Sequence, residues 1–270
     1  MSFSIAGKTA IVTGAANGVG LAIARHFAEH GANVMFADMD EARLTNEIGA
    51  EARSDDGNVR LFAGDLREKL TIANLLSATI DAFDRVDILV NASRQMIVSD
   101  PLNADDAAVE TLLQQNLMTS LRLTQLIAKR MIKQAQDDGR QDGPNGSIIN
   151  LSSIAARRTQ PELLAYSVSS AALDQMTRSM AVGLAEHRIR VNAIAFGSVM
   201  SASLQEALSE HDEFRDEIIE HTPLHRIASA GEVAEAAQFL ASDGSGFMTG
   251  QILTVDGGRT LLDSVVAPAH

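Results

Sequence analysis

TGAANGVGLAIARHFAEHG, residues 13–31, decides how the rest of the chain is read. It follows a short apolar run, Thr9–Thr13 (TAIVT), and passes into a stretch with helical periodicity near residues 18–30. Gly14, Gly18 and Gly20 give the spacing GxxxGxG, with Asn17 and Val19 beside the second glycine. Glycines at such a turn let the backbone bend tightly and approach a pyrophosphate, which then rests on the N-terminus of the following helix. Three packing glycines at an ordinary turn are the plainer alternative. Their place directly after an apolar strand and before a helix favours a dinucleotide turn formed by Gly14, Asn17, Gly18, Val19 and Gly20.

The same alternation continues along the chain. Strand-like runs recur at Asn33–Ala37, Val59–Phe62, Val86–Val90, Ser147–Leu151, Ile189–Ala195 and Ile252–Val255. Helical patterns lie near 18–30, 40–53, 67–84, 105–136, 165–187 and 230–241. Runs that are apolar throughout, rather than alternating, suit strands buried on both faces. The pattern predicts an α/β fold: a doubly wound, mostly parallel seven-stranded sheet with helices on both faces, in a single domain over residues 1–270. The polar cluster 137–146 reads as a surface loop. Residues 198–228 interrupt the rhythm after the sixth strand, where open α/β sheets bind ligands, and so form a candidate substrate lid, a decorative helical excursion being the alternative.

Composition narrows the chemistry. The formal net charge of −13 opposes phosphate polyanions and anionic lipid heads, so neither nucleic acid nor membrane is an expected partner. The chain has no cysteine, and its seven histidines form no ligand cluster, so no metal is expected. The start, MSFSIAGKTA, lacks the basic and apolar regions of a signal peptide, and a cytoplasmic location follows as the expectation. Asp38 ends the second strand, where a carboxylate can bond the adenine ribose hydroxyls and repel the extra phosphate of NADP. With the neutral Asn17 it predicts NAD(H) in preference to NADP(H).

TGAANGVG, the pair Asp65–Leu66, ILVNAS, QQNLMTS, IINLSSIAA, AYSVSS, IRVNAIAFGSV and the tail from PLHRIAS to VDGG together resemble the short-chain dehydrogenase/reductase family, over residues from about 7 to 258. The resemblance implies oxidoreduction of a secondary alcohol or ketone of small size by a nicotinamide cofactor. It implies Asn116, Ser153 and Tyr166 as catalytic residues, Ser153 to polarise the carbonyl and Tyr166, the chain's only tyrosine, to pass the proton. It also implies Asp65, Leu66, Asn91, Ala92, Gly197 and Val199 along the cofactor, with Ser170 at the place of the motif lysine. A homotetramer or homodimer is implied through the helices near 105–136 and 165–187, with Ala171, Ala172, Leu173 and Met176 as an apolar stripe.

The family's YxxxK lysine, which bonds the nicotinamide ribose and assists the tyrosine, is Ser170, and no lysine follows Lys133. At an effective dielectric near 20, a unit charge about 4 Å away is worth roughly 4 kcal/mol as an upper limit. Serine can replace a hydrogen bond but none of that charge. Two further departures are Arg94, ending Asn91–Ala92–Ser93–Arg94 where the family has NNAG, and Phe196–Gly197 where it has proline-glycine. Arg94 is expected to point to solvent, with replacement of the missing charge as the alternative. Arg157 and Arg158 could meet an anionic substrate or simply be solvated. Two readings follow: an NAD(H)-dependent oxidoreductase with a weakened proton relay, or a catalytically silent dinucleotide-binding protein, such as a redox sensor or an inactive partner subunit.

Overall fold

Seven apolar runs form seven strands: β1 Thr9–Thr13, β2 Asn33–Asp38, β3 Val59–Ala63, β4 Ile88–Asn91, β5 Gly146–Ser153, β6 Ile189–Phe196 and β7 Ile252–Val255. They pair in the order β3-β2-β1-β4-β5-β6-β7, and every pairing is parallel. This computed structural model describes residues 3–263 apart from 55–56, 104, 202–203, 206–207, 210 and 212. The inner strands β1, β4, β5 and β6 are buried along their whole length, whereas the edge strands β3 and β7 are partly exposed. Continuous apolar sequence therefore marks the strands covered on both faces.

The helices are α1 Gly18–Glu29, α2 Glu41–Ile48, α3 Lys69–Phe83, α4 Ala108–Leu112, α5 Thr119–Asp137, α6 Leu164–Leu184, α7 Glu213–Glu220 and α8 Ala230–Ala241. Side chains alternate across each strand and split the interior into two cores. Ala10, Val12, Val34, Phe36, Ile88 and Val90 meet Ile23, Phe27 of α1 and Val233, Leu240 of α8 on one face. Ile11, Met35, Leu89, Ile148 and Val191 meet Ile72, Leu75 of α3 and Leu123, Ile127 of α5 on the other. No helix among the described residues is long and apolar enough to cross a membrane.

Some boundaries differ from the sequence reading for local reasons. β4 begins at Ile88 rather than Val86, because side chains occupy the preceding backbone: Gln134 accepts from the Val86 amide at 3.0 Å and donates to its carbonyl at 2.9 Å. Asp87 holds the Thr9 amide at 2.9 Å in the same way. The helix expected over 105–136 is interrupted by a π-helical turn, Leu113–Met118, which carries Asn116. Such turns insert one residue and redirect a side chain. The apolar stripe on α6 is also divided: Leu173 and Met176 are buried by the chain's own packing, while Ala171 is exposed. Leu173 and Met176 belong to the core rather than to a free face.

Below the ends of β4 and β5 runs a buried polar ladder. Asn91 Nδ2 donates to Asn150 Oδ1 at 2.8 Å, and Asn150 Nδ2 donates to Thr177 Oγ1 of α6 at 2.9 Å. Asp174, one turn away on α6, is 4% exposed, and its Oδ1 has no hydrogen-bond partner among the described residues. Burial pushes its carboxyl above the usual carboxylate value, opposed by the nearby Ser152 hydroxyl and the charges of Arg157 and Arg178. The charged form is thus the destabilising one. Its penalty is absent where the group is protonated in both folded and unfolded chains, and it grows as pH rises to the raised value. Asp174→Asn is expected to raise Tm at neutral pH and to leave it unchanged below about pH 3, where aspartate is protonated in either state. Thermal melts of both proteins across pH check this; an equal gain at both ends would point to packing instead.

Candidate active site

The cradle is built where the order of the sheet reverses, between β1 and β4. Gly14 leaves β1 with φ of 65°, and a Cβ there would lie 2.7 Å from the Ala92 carbonyl oxygen. Gly20 packs back on Gly14, where a Cβ would fall into its carbonyl oxygen. Thr13 joins the two loops: its hydroxyl accepts from the amides of Ala92 at 3.0 Å and Ser93 at 3.1 Å. The first turn of α1 follows, with no side chain capping it, and Asn17, Gly18, Val19 and Gly20 line an open cleft. Uncapped amides at a helix N-terminus beside a glycine turn fit a pyrophosphate. At the end of β2, Asp38 accepts from the amides of Ala16 and Asp40, each at 3.1 Å, and its side chain borders the same cleft.

The chemical residues stand along the continuation of that cleft. Ser153 ends β5, and its oxygen accepts from the Ala155 amide at 3.1 Å. Tyr166 lies in the first turn of α6, is 6% exposed and shares the cleft wall with Ser153, Ala92, Gly197 and Val199. Arg94 does not point to solvent, which corrects the expectation from sequence. Its Nη1 donates to the Tyr166 hydroxyl at 2.5 Å and to the Ser152 carbonyl at 3.3 Å. Its guanidinium lies 4.2 Å from the centre of the Phe196 ring. A ring face attracts a cation, so Phe196 and the tyrosine hold the guanidinium between them.

Asn116 faces the same loop. Its Oδ1 accepts from the Gln95 amide at 2.8 Å, and its Nδ2 donates to the Gln95 carbonyl at 2.9 Å and to Ser169 Oγ at 3.2 Å. Thr13 thus grips the chain just before Arg94, and Asn116 just after it. Asn91, Asn116 and Ser170 do not line the main cleft. Together with Arg94 and Tyr166 they border a cavity of about 10 Å³ next to it, a volume suited to about one water molecule.

Asp65 and Leu66 line neither space. Leu66 is buried in the core beside Ile72 and Leu75. Asp65 makes a bidentate pair with Arg67, at 2.9 and 2.6 Å, and that pairing holds its carboxyl below the usual range. It is Arg67 that reaches the cleft. Arg158 borders the cleft and donates to the carbonyls of Thr260 and Leu262, whereas Arg157 donates to Thr254 Oγ1 at 3.3 Å. The sequence reading did not single out Arg259, whose Nη1 holds Ser198 Oγ at 2.5 Å on the cleft wall. Of the 198–228 segment, Leu204 and then Phe214, Glu217 and Ile218 of α7 border the cleft. Its base is tied where Met200 donates to the Ala228 carbonyl at 2.9 Å. Residues 202–203, 206–207, 210 and 212 of that segment lie outside the described residues.

Comparison with known proteins finds likeness over nearly the whole chain. Residues 14–260 match the family described as enoyl-(acyl carrier protein) reductase. A 7alpha-hydroxysteroid dehydrogenase of Escherichia coli is 32% identical over 252 residues, 93% of this chain and 94% of that protein. A solved 7alpha-hydroxysteroid dehydrogenase, complexed with NADH and 7-oxo glycochenodeoxycholic acid, superposes with a TM-score of 0.86 at 30% identity, covering 95% of this chain and 96% of that one. A gluconate 5-dehydrogenase from Burkholderia cenocepacia, in complex with NADP and tartrate, gives the same TM-score of 0.86 at 27% identity, with 97% and 98% covered.

Gly14 is the point where a side chain is least tolerable. Gly14→Ala is expected to lower stability by about 1–3 kcal/mol, from the positive φ and the clash with Ala92 together. It should also weaken NADH binding about tenfold or more. Denaturant melts and calorimetric titration measure the two effects; unchanged values for both would contradict the cradle.

Proposed function

The chain belongs to the short-chain dehydrogenase/reductase family and is an oxidoreductase of that family, and we propose that it interconverts a secondary alcohol and a ketone with NAD(H) as cofactor. The observation that carries this reading is the alignment of the glycine cradle, Ser153 and Tyr166 along one cleft. The cradle of Gly14 and Gly20, which any Cβ would fill, accepts a dinucleotide's phosphates. The related steroid dehydrogenase, complexed with NADH and a 7-oxo compound, supports both the cofactor and the ketone class. A bound reduced nicotinamide supplies a hydride to the carbonyl carbon. Ser153 orients the carbonyl oxygen by hydrogen bonding, and Tyr166 gives that oxygen its proton in the reducing direction and takes it back in the other. The position of Arg94 weighs against the silent-binder reading, whose ground was the lost cation.

NAD(H) is proposed over NADP(H) because Asp38 stands at the end of β2 beside the glycine turn, where a ribose phosphate would meet its negative charge. Residues 198–228, with α7 on the cleft, are proposed as the lid over the substrate. Asn116 is proposed as a positioning residue for the loop that carries Arg94, with Asn91, Ala92, Gly197 and Val199 shaping the nicotinamide end. The loop that follows β3 is proposed at the adenine end through Arg67, which Asp65 orients, while Leu66 anchors that loop in the core. Pairing of subunits through α5 and α6 is proposed as well, with Val182, 80% exposed, as part of the free face of α6.

Two outcomes are expected. Tyr166→Phe should abolish ketone reduction and alcohol oxidation while leaving NADH affinity nearly unchanged, because the phenol acts in the transition state. NADH oxidation against a carbonyl panel, beside calorimetric titration, checks this; undiminished turnover would remove the tyrosine from the mechanism. Asp38→Ala should narrow the gap between NADH and NADPH affinities by removing repulsion and ribose bonds together. Equal affinities in the unaltered protein would defeat the proposed preference.

A further inference from the structure

We propose that Arg94 is the cation of the proton relay: its guanidinium, bonded to the Tyr166 hydroxyl, stabilises the phenolate in place of a lysine at position 170. The inference rests on the oxidoreductase reading for its purpose, but not for its geometry. Arg94 Nη1 donates to the Tyr166 hydroxyl oxygen at 2.5 Å, which places the guanidinium charge in direct hydrogen-bond contact with the phenol. The guanidinium is held by further contacts besides the phenol. Phe196 lies beneath it at 4.2 Å, the Ser152 carbonyl accepts from it, and its own loop is gripped by Thr13 before it and Asn116 after it. A charge so held has little freedom to leave the phenol for solvent.

The surroundings leave few competitors. Among the residues bordering the small cavity at Ser170, Arg94 and Tyr166 alone are ionisable. On the cleft side, the charged or titratable groups of the wall nearest in sequence to the active-site segments are Arg158 after β5, Glu217, Glu220 and His221 on α7 and after it, and Arg259 and Asp263 near the C-terminus. Arg158 is engaged by the carbonyls of Thr260 and Leu262, and Arg259 by Ser198. Asp38 and Arg67 border the same cleft at its dinucleotide end. Arg94 is the charged group hydrogen-bonded to the phenol among the described residues. When a ketone is reduced, the Tyr166 O–H bond breaks as a new O–H bond forms on the substrate oxygen. The hydride comes from reduced nicotinamide and the phenolate is reprotonated from water. In alcohol oxidation the phenolate must exist first, so the cation matters more in that direction.

The chain offers a direct readout that needs neither cofactor nor turnover. Tyr166 is its one tyrosine and it has no tryptophan, so tyrosinate ultraviolet absorbance reports this phenol alone. The unliganded protein, Arg94→Ala and Arg94→Gln would be titrated with alkali, with circular dichroism confirming the fold at each pH. Loss of the charge should raise the midpoint by about one pH unit or more in both variants, the usual effect of removing an opposite charge at this range. The glutamine variant keeps bulk and a donor, so it stands if alanine fails to fold. A midpoint in folded Arg94→Gln equal to that of the unaltered protein overturns the proposal. The two readings fail separately: turnover with an unmoved midpoint removes the role of Arg94, whereas a raised midpoint without turnover on any carbonyl keeps that role and removes the oxidoreductase reading.

Discussion

The close passage of Gly14 beneath Ala92 and Ser93 is the constraint on which the site depends. A Cβ at Gly14 would stand 2.8 Å from the Ser93 amide nitrogen as well as against the Ala92 carbonyl. Only a glycine with positive φ lets the loops after β1 and β4 cross there. Once they cross, the Thr13 hydroxyl can take both amides of the β4 loop, and Asp38 can take the Ala16 amide from the other side. The dinucleotide turn and the loop bearing Arg94 are therefore a single construction. The backbone of Gly14 packs directly on that of Ala92 and Ser93, so the two loops are close-packed against each other.

What the sequence discloses follows from how local each signal is. The inner strands were readable because burial on both faces demands unbroken apolar residues, and the glycine turn because its three glycines are neighbours. The start of β4 was not, since it is decided by Gln134 from α5, nearly fifty residues away. The π-helical turn at Leu113–Met118 left no mark in the hydrophobic periodicity. Asp65 could be placed after β3, but not its engagement by Arg67, which turns the carboxylate toward its own neighbour and sends the arginine to the cleft. Ser153 and Tyr166 were legible through family spacing and do share one wall. The direction of Arg94 was not legible: the tyrosine it bonds is 72 residues away and the ring it lies on belongs to β6.

Three departures from the family's pattern meet at one contact. Arg94, Phe196 and Ser170 are the positions that the sequence resemblance reads as departures, and in the folded chain the first lies on the second and beside the third. An arginine where the family has glycine needs a surface to lie on, and the Phe196 ring offers its electron-rich face at 4.2 Å. A cation already bonded to the phenol makes a second one on the same helix face unfavourable, since like charges in a partly buried site repel strongly. Serine at 170 removes that repulsion.

The exchange is not neutral in its chemistry. A lysine is a compact, strongly hydrated charge on a flexible stem, and it can lose its proton when buried. A guanidinium stays charged, presents a planar fork and stacks on rings. Held by Phe196, Ser152 and the tyrosine, it enters from the β4 loop rather than from α6, so the proposed cation is carried by the loop packed on the glycine turn and not by the helix that carries Tyr166. The phenol and its charge thus come from different elements, and whatever sets the distance between the β4 loop and α6 sets the strength of the relay. The Asn116 bonds to Gln95 and to Ser169 span that gap, with one hand on each element. Asn116 thereby ties the loop that carries Arg94 to the helix that carries Tyr166.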